Sequence, residues 1–496
     1  MNLLSGDLKL VLPEIFISVT AMGILILGTF VRERGRTWLA CVTLSALAVT
    51  GYYLMTLRSN PFHPAYSSMY AHDGMALVFK MLFIVVGILA VLVSYDFLRT
   101  RGIPCAEFFA LILFSTVGMM LVASAYDFML LFVGLELSSL ATYILVGLTK
   151  KDLWSNEAAI KYFLLSIFAS AILLFGISIV YAATGTTNFG EIASRGSDLT
   201  TRQPLAAVVA LVFLVAAFGF KITAVPFHMY APDVYQGAPT PVTIFLAVGP
   251  KAAAFAGLIR VLGAVHAMSS DWLMLVSALS FLTMTVGNVG AVLQTNVKRM
   301  LAYSSIAHAG YALIGVASIA VDDRAGGVFP SSTASVIFYL VAYTIMNVGA
   351  FSLLMYMRRD KGFGEDLADF SGLARRRPVV AAAMLIFLLS LAGIPPSIGF
   401  LGKFYIFATA VRSGLYWLAV AGVLNAVVSL FYYARIVVYM FMKKQERDVS
   451  DVRSFALNLA LGASAVATVV LGIFPQTILD VIARATSNIF TGGIIQ

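Results

Sequence analysis

Charged residues are scarce in this sequence. Only 11% of its 496 residues are Asp, Glu, Lys or Arg, against about 25% in soluble globular domains, and no stretch is long and polar enough to form a soluble domain. Cysteine is scarcer still. Cys41 and Cys105 stand alone, so no CxxC pair exists for an iron–sulfur cluster, a structural zinc or a disulfide framework. Both are expected to be buried thiols. The phosphate loop GxxxxGKS/T, a GxGxxG following a strand and a cluster of metal ligands are also missing. Any energy source for work done by this chain therefore has to come from outside it.

What fills the sequence is apolar: 60% hydrophobic residues and a mean hydropathy of +0.93. A hydrocarbon core about 30 Å thick needs roughly 20 apolar residues per helix, and about fourteen such runs are present. They lie near 9–30, 37–56, 75–95, 106–124, 127–148, 159–182, 204–225, 240–264, 272–293, 300–319, 333–357, 379–400 (continuing irregularly to 411), 415–442 and 454–474. The first run follows Asp7 and Lys9, is a full span in length and has no small-residue cleavage site, so it reads as a span and not a removable signal peptide. The expected fold is an all-α integral membrane protein.

Most of the 33 Lys and Arg fall in the odd-to-even loops: Arg32, Arg34 and Arg36; Arg99 and Arg101; Lys150, Lys151 and Lys161; Lys298 and Arg299; Arg358, Arg359, Lys361 and Arg375–Arg377; Lys443, Lys444, Arg447 and Arg453. The other side has only Lys9, Arg58, Arg195, Arg202, Arg260, Arg324, Arg412 and Arg484. Positive charge marks the cytoplasmic side, which puts both termini outside and explains the net charge of +9 without a nucleic-acid partner.

Lys80, Lys221, Lys251, Lys403 and Arg435 remain inside spans. The carboxylates at similar depth are Glu136 and, near the end of the first span, Glu14. A charge at the bilayer centre costs about 2.5–3.5 kcal/mol or more. Lys80 and Arg435 lie within about two turns of a span end, where a long side chain reaches the interface, and snorkelling is expected for them. Glu136, Lys221, Lys251 and Lys403 lie near mid-span or beside helix breaks: Pro226 follows Lys221, Gly249–Pro250 precedes Lys251, and LAGIPPSIGFLG precedes Lys403. Backbone freed by such breaks is tolerated only inside the protein or along a hydrated cavity, and broken helices in corresponding halves are a transporter-core signature.

Two halves are discernible. Lys221 and Lys403 are 182 residues apart, KYFLLSIFASAILLFG (161–176) resembles VIFYLVAYTIMNVGAF (336–351), and Glu136 and His308 are each the solitary ionisable group of a helix. These pairings suggest two inverted five-helix repeats, helices 4–8 and 9–13, with helices 7 and 12 broken. The expected divisions are 1–105 (helices 1–3), 106–265 (first repeat), 266–445 (second repeat) and 446–496 (helix 14).

The stretches FGFKITAVPFHMYAPDVYQGAPTPVTIFLAVGPKAAAF, VGNVGAVLQTNVKRMLAYSSIAHAGY and LAGIPPSIGFLGKFY resemble the signature segments of the antiporter-like subunits of respiratory complex I and of Mrp-type cation/proton antiporters. Lys403 stands where subunit M typically has Glu, and the chain ends after a fourteenth helix without the long lateral helix of subunit L, which points to the third antiporter-like subunit. The resemblance implies a proton path along the membrane plane: Glu136 paired with Lys221, Lys251 connecting, Lys403 handing protons onward, and His308 in a lesser role. It also implies a bacterial inner membrane, neighbours such as subunits M, K and J, and FMN, iron–sulfur clusters and quinone in partner subunits. This chain would hold no cofactor or metal of its own.

The residue types suit that role. Burial disfavours an ammonium and a nearby carboxylate favours it, so movement of Glu136 relative to Lys221 could load or release a proton. His228, Asp233 and Tyr235 in PFHMYAPDVYQ form either a cytoplasmic proton-uptake point or a tether for the broken helix, and the tether is the expected role. A Na⁺/H⁺ antiporter shares Glu136, Lys221 and Lys251 and is the alternative; the lack of an acidic oxygen-ligand cluster in the spans favours protons.

Overall fold

A computed structural model of the chain describes residues 2–30, 36–57, 63–321, 330–359, 362–445, 450–451 and 454–486. Arg32, Arg34, Arg58, Arg324, Lys361, Arg447 and Arg453, used above to orient the spans, lie outside the described residues. Spans 1 to 6 are Asn2–Phe30, Arg36–Thr56, Gly74–Arg101, Cys105–Ser124, Phe128–Val146 and Leu153–Thr184. Span 7 is Pro204–Ile222, followed after a break by the short helix Tyr230–Gly237. Spans 8 to 11 are Thr240–Ala264, Ser269–Val292, Val297–Ile319 and Ser332–Leu354; span 12 is split into Pro378–Ala392 and Ile398–Arg412; spans 13 and 14 are Tyr416–Met442 and Phe455–Ile473. Among the described residues thirteen helices are long and apolar enough to cross a membrane, and Pro378–Ala392 is a shorter apolar one. Short β pieces decorate the loops, including a hairpin pairing His63–Ala65 with Tyr70–His72.

Spans 8, 10 and 11 are almost wholly buried, whereas spans 1, 13 and 14 leave most of their surface to the outside. Hydrophobicity all round a helix does not distinguish these cases, because lipid and protein interior are both apolar. Polar loop residues start the helices: Asp127, Asn296 and Ser331 each accept a hydrogen bond from a backbone N–H of the first turn that follows. Cys105 is buried, but Cys41, expected inside, is exposed on an outward face of span 2.

The repeat is visible in backbone geometry. A Cβ on Gly118 of span 4 would lie 2.5 Å from the Ser138 nitrogen of span 5, and one on Gly287 of span 9 would lie 2.6 Å from the Ala307 nitrogen of span 10. Both crossings are thus set by glycine, at a common offset of 169 residues. The first halves of spans 7 and 12 both end on a left-handed residue, Thr223 at φ 66° and Gly393 at φ 88°. Their capping N–H groups reach Gly219 and Phe220 in one case and Leu389 and Ser390 in the other. That is an offset of 170, not 182. Lys221 therefore precedes its break while Lys403 follows its own, and the two lysines are not equivalent positions. At the offset of 169, His308 corresponds to Ser139, and Glu136 to Ser305.

Span 8 also departs from the sequence reading, because it runs unbroken through Gly249–Pro250. Proline removes the donor that would serve the carbonyl of Leu246. The hydroxyl of Tyr235 bonds that carbonyl instead, at 3.4 Å, so no buried acceptor is orphaned. Gly249 lets Met119 and Val86 close against the helix.

Candidate functional site

Lys221 lies in the last turn of its half-helix, where a cation complements the negative end of the helix dipole. Its Nζ is 3.5 Å from Glu136 Oε1, 2.9 Å from Ser139 Oγ and 3.2 Å from Ser166 Oγ. The Ser170 hydroxyl donates to Glu136, and the Tyr143 hydroxyl to Ser166. The Lys221 side chain is 9% exposed and that of Glu136 21%. The pair is therefore an ion pair with hydroxyls on both sides, a setting in which a carboxylate can shift between lysine and serine partners.

Lys251, one residue past the proline, donates to the Ser305 carbonyl at 2.9 Å and to its hydroxyl at 2.5 Å. The Tyr343 hydroxyl donates to the same Ser305 Oγ at 2.8 Å. Beyond it, His308 meets the hydroxyls of Tyr339 (2.6 Å, Nδ1) and Tyr433 (3.2 Å, Nε2), and its ring centroid is 5.3 Å from that of Tyr343.

Lys403 has a different kind of partner. The C-terminal carbonyls of a helix lack intrahelical donors. At the end of Pro378–Ala392, the N–H groups of Gly393 and Ile394 serve Leu389 and Ser390, and Lys403 Nζ donates to the remaining two, Leu391 at 2.9 Å and Ala392 at 3.0 Å. Its ammonium also sits 4.8 Å from the centre of the Tyr311 ring, and that ring is 5.7 Å from His308. Lys251 of the first repeat is thus joined to His308 and Lys403 of the second by tyrosine and serine side chains, and Glu136 and Lys221 form a separate cluster within the first.

Asp233 is held by Arg299 at 2.7 Å and Lys161 at 3.2 Å. These ion pairs link the short helix after the first break to spans 6 and 10. Burial acts to raise its carboxyl, but the hydrogen bonds from Arg299 and Lys161 outweigh this and hold it below the usual carboxylate range. His228 lies in the break, half-buried, with its Nδ1 lacking a hydrogen-bond partner. Burial lowers its imidazole below the ordinary value. A cavity of about 260 Å³ opens next to this region, lined by Arg101, Asp152, Gln236, Thr240, Lys298 and Glu365 among others.

Three charges were misread from sequence. Lys80 does not snorkel: it is fully buried and 2.7 Å from Glu14. Arg260, counted as a loop cation, is buried 2.9 Å from Asp73. Lys298, also counted as a loop cation, is buried against Glu365 at 3.3 Å and the carbonyls of Gln236 and Ala238. Arg435 reaches the Gln294 carbonyl just past the end of span 9, with its Nε buried and without a partner. The serines around Lys221 and Ser305 beside Lys251 carry no sequence signal, since serine in membrane helices is common as a simple packing residue.

A broken span whose freed carbonyls hold a buried lysine, together with a Glu–Lys pair between two apolar spans, defines an antiporter-like membrane subunit. The chain belongs to the NADH:quinone oxidoreductase/Mrp antiporter transmembrane family, whose model matches residues 125–429. Relatives named NADH-quinone oxidoreductase subunit N include one from Trichlorobacter lovleyi, 41% identical with 97% of this chain and 98% of the relative covered. Another, subunit N 1 from Koribacter versatilis, is 42% identical with 97% and 96% covered. Among solved structures, a chain of respiratory complex I from Thermus thermophilus with bound aureothin matches with a TM-score of 0.80 at 32% identity, over 95% of this chain and 100% of that one. A chain of the Mrp complex from Dietzia sp. shares the fold, with a TM-score of 0.82 at 21% identity over 98% of each.

Proposed function

We propose that this chain is the subunit N of a proton-translocating NADH:quinone oxidoreductase, and that it moves protons through Glu136, Lys221, Lys251 and Lys403. The observation that carries the assignment of residues is the Glu136–Lys221 pair at 3.5 Å inside the membrane, flanked by hydroxyls that can take either partner's hydrogen bond. When Glu136 approaches Lys221 the ammonium is favoured; when it turns to Ser170 the proton is released toward Lys251 and onward, past His308, to Lys403. Moving one charge against 100 mV takes about 2.3 kcal/mol. The drive comes from redox chemistry in partner subunits that hold FMN, iron–sulfur clusters and quinone.

The chain sits in the membrane arm, in contact with lipid and with neighbours such as the antiporter-like subunit M and the small subunits K and J. The location is the bacterial inner membrane with both termini periplasmic, a reading supported by the distribution of Lys and Arg. The cavity lined by Thr240, Lys298 and Glu365 then faces the cytoplasm and supplies proton uptake, with Asp233 as a tether. Relatives near 40% identity favour this over a Na⁺/H⁺ antiporter of the Mrp type, for which the likeness is one of fold.

The test is Lys221→Ala in the assembled complex reconstituted in vesicles. Coupled NADH oxidation and proton pumping should be largely lost while all subunits remain present. Normal pumping in the assembled variant would overturn the assignment, and pumping that tracks sodium instead of protons would favour the antiporter.

A further inference from the structure

The first three spans carry a second buried acid–base cluster that the proton path above does not use. Lys80 of span 3 is completely buried and lies 2.7 Å from Glu14 Oε1 of span 1, itself 2% exposed. The Tyr70 hydroxyl is 3.0 Å from the same oxygen and also receives a hydrogen bond from Lys80. An ion pair that only pins two helices would be expected to have its hydrogen-bonding capacity filled, since buried unsatisfied polar atoms are costly. Here Glu14 Oε2 and the Nδ1 of His72 are buried without a protein partner. Groups of this kind bind water.

The cluster is also continuous with the surface. Tyr70 and His72 belong to the hairpin that precedes span 3, and His72 is paired directly across it with His63. His63 is 58% exposed and lies 3.7 Å from Asp7. Asp7, Leu10 and Glu14 recur at helical spacing on one face of span 1, two turns or about 10 Å from end to end. On the inner side, span 3 packs along span 8, which carries both Lys251 and Arg260, and Arg260 closes the floor through Asp73 at 2.9 Å and the Ala123 carbonyl at 2.8 Å. Among the described residues the ionisable groups facing one another here are Glu14, Lys80, Tyr66, Tyr70, His72, Asp73 and Arg260, with Tyr126 beside Asp73 and Arg260.

We infer that Glu14 and Lys80, with Tyr70 and His72, form a proton-holding site that exchanges protons with the aqueous phase at the hairpin face. A proton arriving from the bundle adds to Glu14 Oε2, turning carboxylate into carboxylic acid beside the Lys80 ammonium. It leaves through water to the free lone pair of His72 Nδ1, and the resulting imidazolium loses one proton to solvent at His63 and Asp7. One proton enters, one leaves, and no other bond changes. This rests on the proton-translocating function proposed above; on its orientation of the spans, the site lies on the release side.

The test uses the intact complex in vesicles. Tyr70→Phe keeps the Glu14–Lys80 bond but removes the hydroxyl, and should slow pumping by about tenfold, below the usual contribution of a positioned proton carrier. Infrared difference spectra taken between resting and turning-over complex should show a carboxylic-acid band that shifts in Glu14→Asp. Pumping at the unmodified rate in Tyr70→Phe, or a carboxylic-acid band that Glu14→Asp leaves unmoved, would reduce the cluster to a static ion pair and overturn the inference. If Glu14→Asp does not assemble, Tyr70→Phe decides alone. Lys221→Ala separates the two readings: loss of pumping there with full activity in Tyr70→Phe refutes only this site, whereas normal pumping in Lys221→Ala refutes the function it rests on.

Discussion

Removing one member of the Glu136–Lys221 pair should harm assembly more than removing both. At 3.5 Å and an effective dielectric of about 20, the attraction is about 5 kcal/mol, of which most is offset by the cost of bringing both charges out of water. The net worth of the intact pair is small, but a stranded charge has no such offset. Glu136→Gln leaves Lys221 charged and only 9% exposed. Because Ser139 and Ser166 still accept its hydrogen bonds, the cost should lie near the low end of the range for broken buried pairs, about 3 kcal/mol. Lys221→Met leaves Glu136 more exposed, bonded to Ser170 and able to take up a proton, so its cost should be about 1–3 kcal/mol. Glu136→Gln combined with Lys221→Met leaves neither charge behind. The yield of assembled complex and its thermal midpoint should therefore rank the double variant above Lys221→Met, and that above Glu136→Gln, although all three lose pumping. A double variant no better than its worse parent would show that the two charges are not energetically coupled, and the switch would fall with them.

Gly393→Ala places a Cβ on a residue at φ 88° and 2.9 Å from Lys403 Cδ; backbone strain of about 1–2 kcal/mol and a displaced lysine should cut pumping. Gly414→Ala, at φ 71° with open space around it, should carry similar strain and pump normally. Asp233→Asn should loosen the short helix after the first break, seen as faster amide exchange there with pumping reduced but not abolished. Because the Asp233 carboxyl is held below its unfolded value, its contribution to stability is full at neutral pH and is lost as pH falls through the folded value, below about 4; the acid limb of the stability profile should flatten in the Asn variant. His228→Ala should lower activity only in part, and complete loss with intact assembly would make His228 a proton carrier.

The spans and the buried Glu136 and Lys221 were legible because an ionisable group in an apolar run is conspicuous and helix breakers beside it are more so, whereas their pairing came from the family resemblance. What hid was whatever depends on a partner distant in sequence. Lys80 looked like a snorkelling residue because Glu14, its counter-ion, lies on another helix, and Lys298 and Arg260 looked like loop cations because hydropathy marks where a helix leaves the membrane but not what packs over its end. The repeat was recognisable, but aligning it on its lysines gave the wrong register: the conserved geometry is the left-handed cap, and the lysines stand on opposite sides of it. Pro250 suggested a break because the sequence could not show that Tyr235 would serve the carbonyl the proline leaves without a donor.

Two buried lysines of this chain differ in how they are wired. Lys221 faces a carboxylate that can itself change charge and move, so the strength of that junction varies with the state of either side. Lys403 is clamped by the two backbone carbonyls of Leu391 and Ala392, which neither titrate nor swing. An amine retains N–H donors for those carbonyls after it has given up its extra proton, so the clamp keeps its shape whether the lysine is charged or neutral. In circuit terms Lys221 sits at a moving contact and Lys403 at a fixed terminal, and timing can be imposed only at the first.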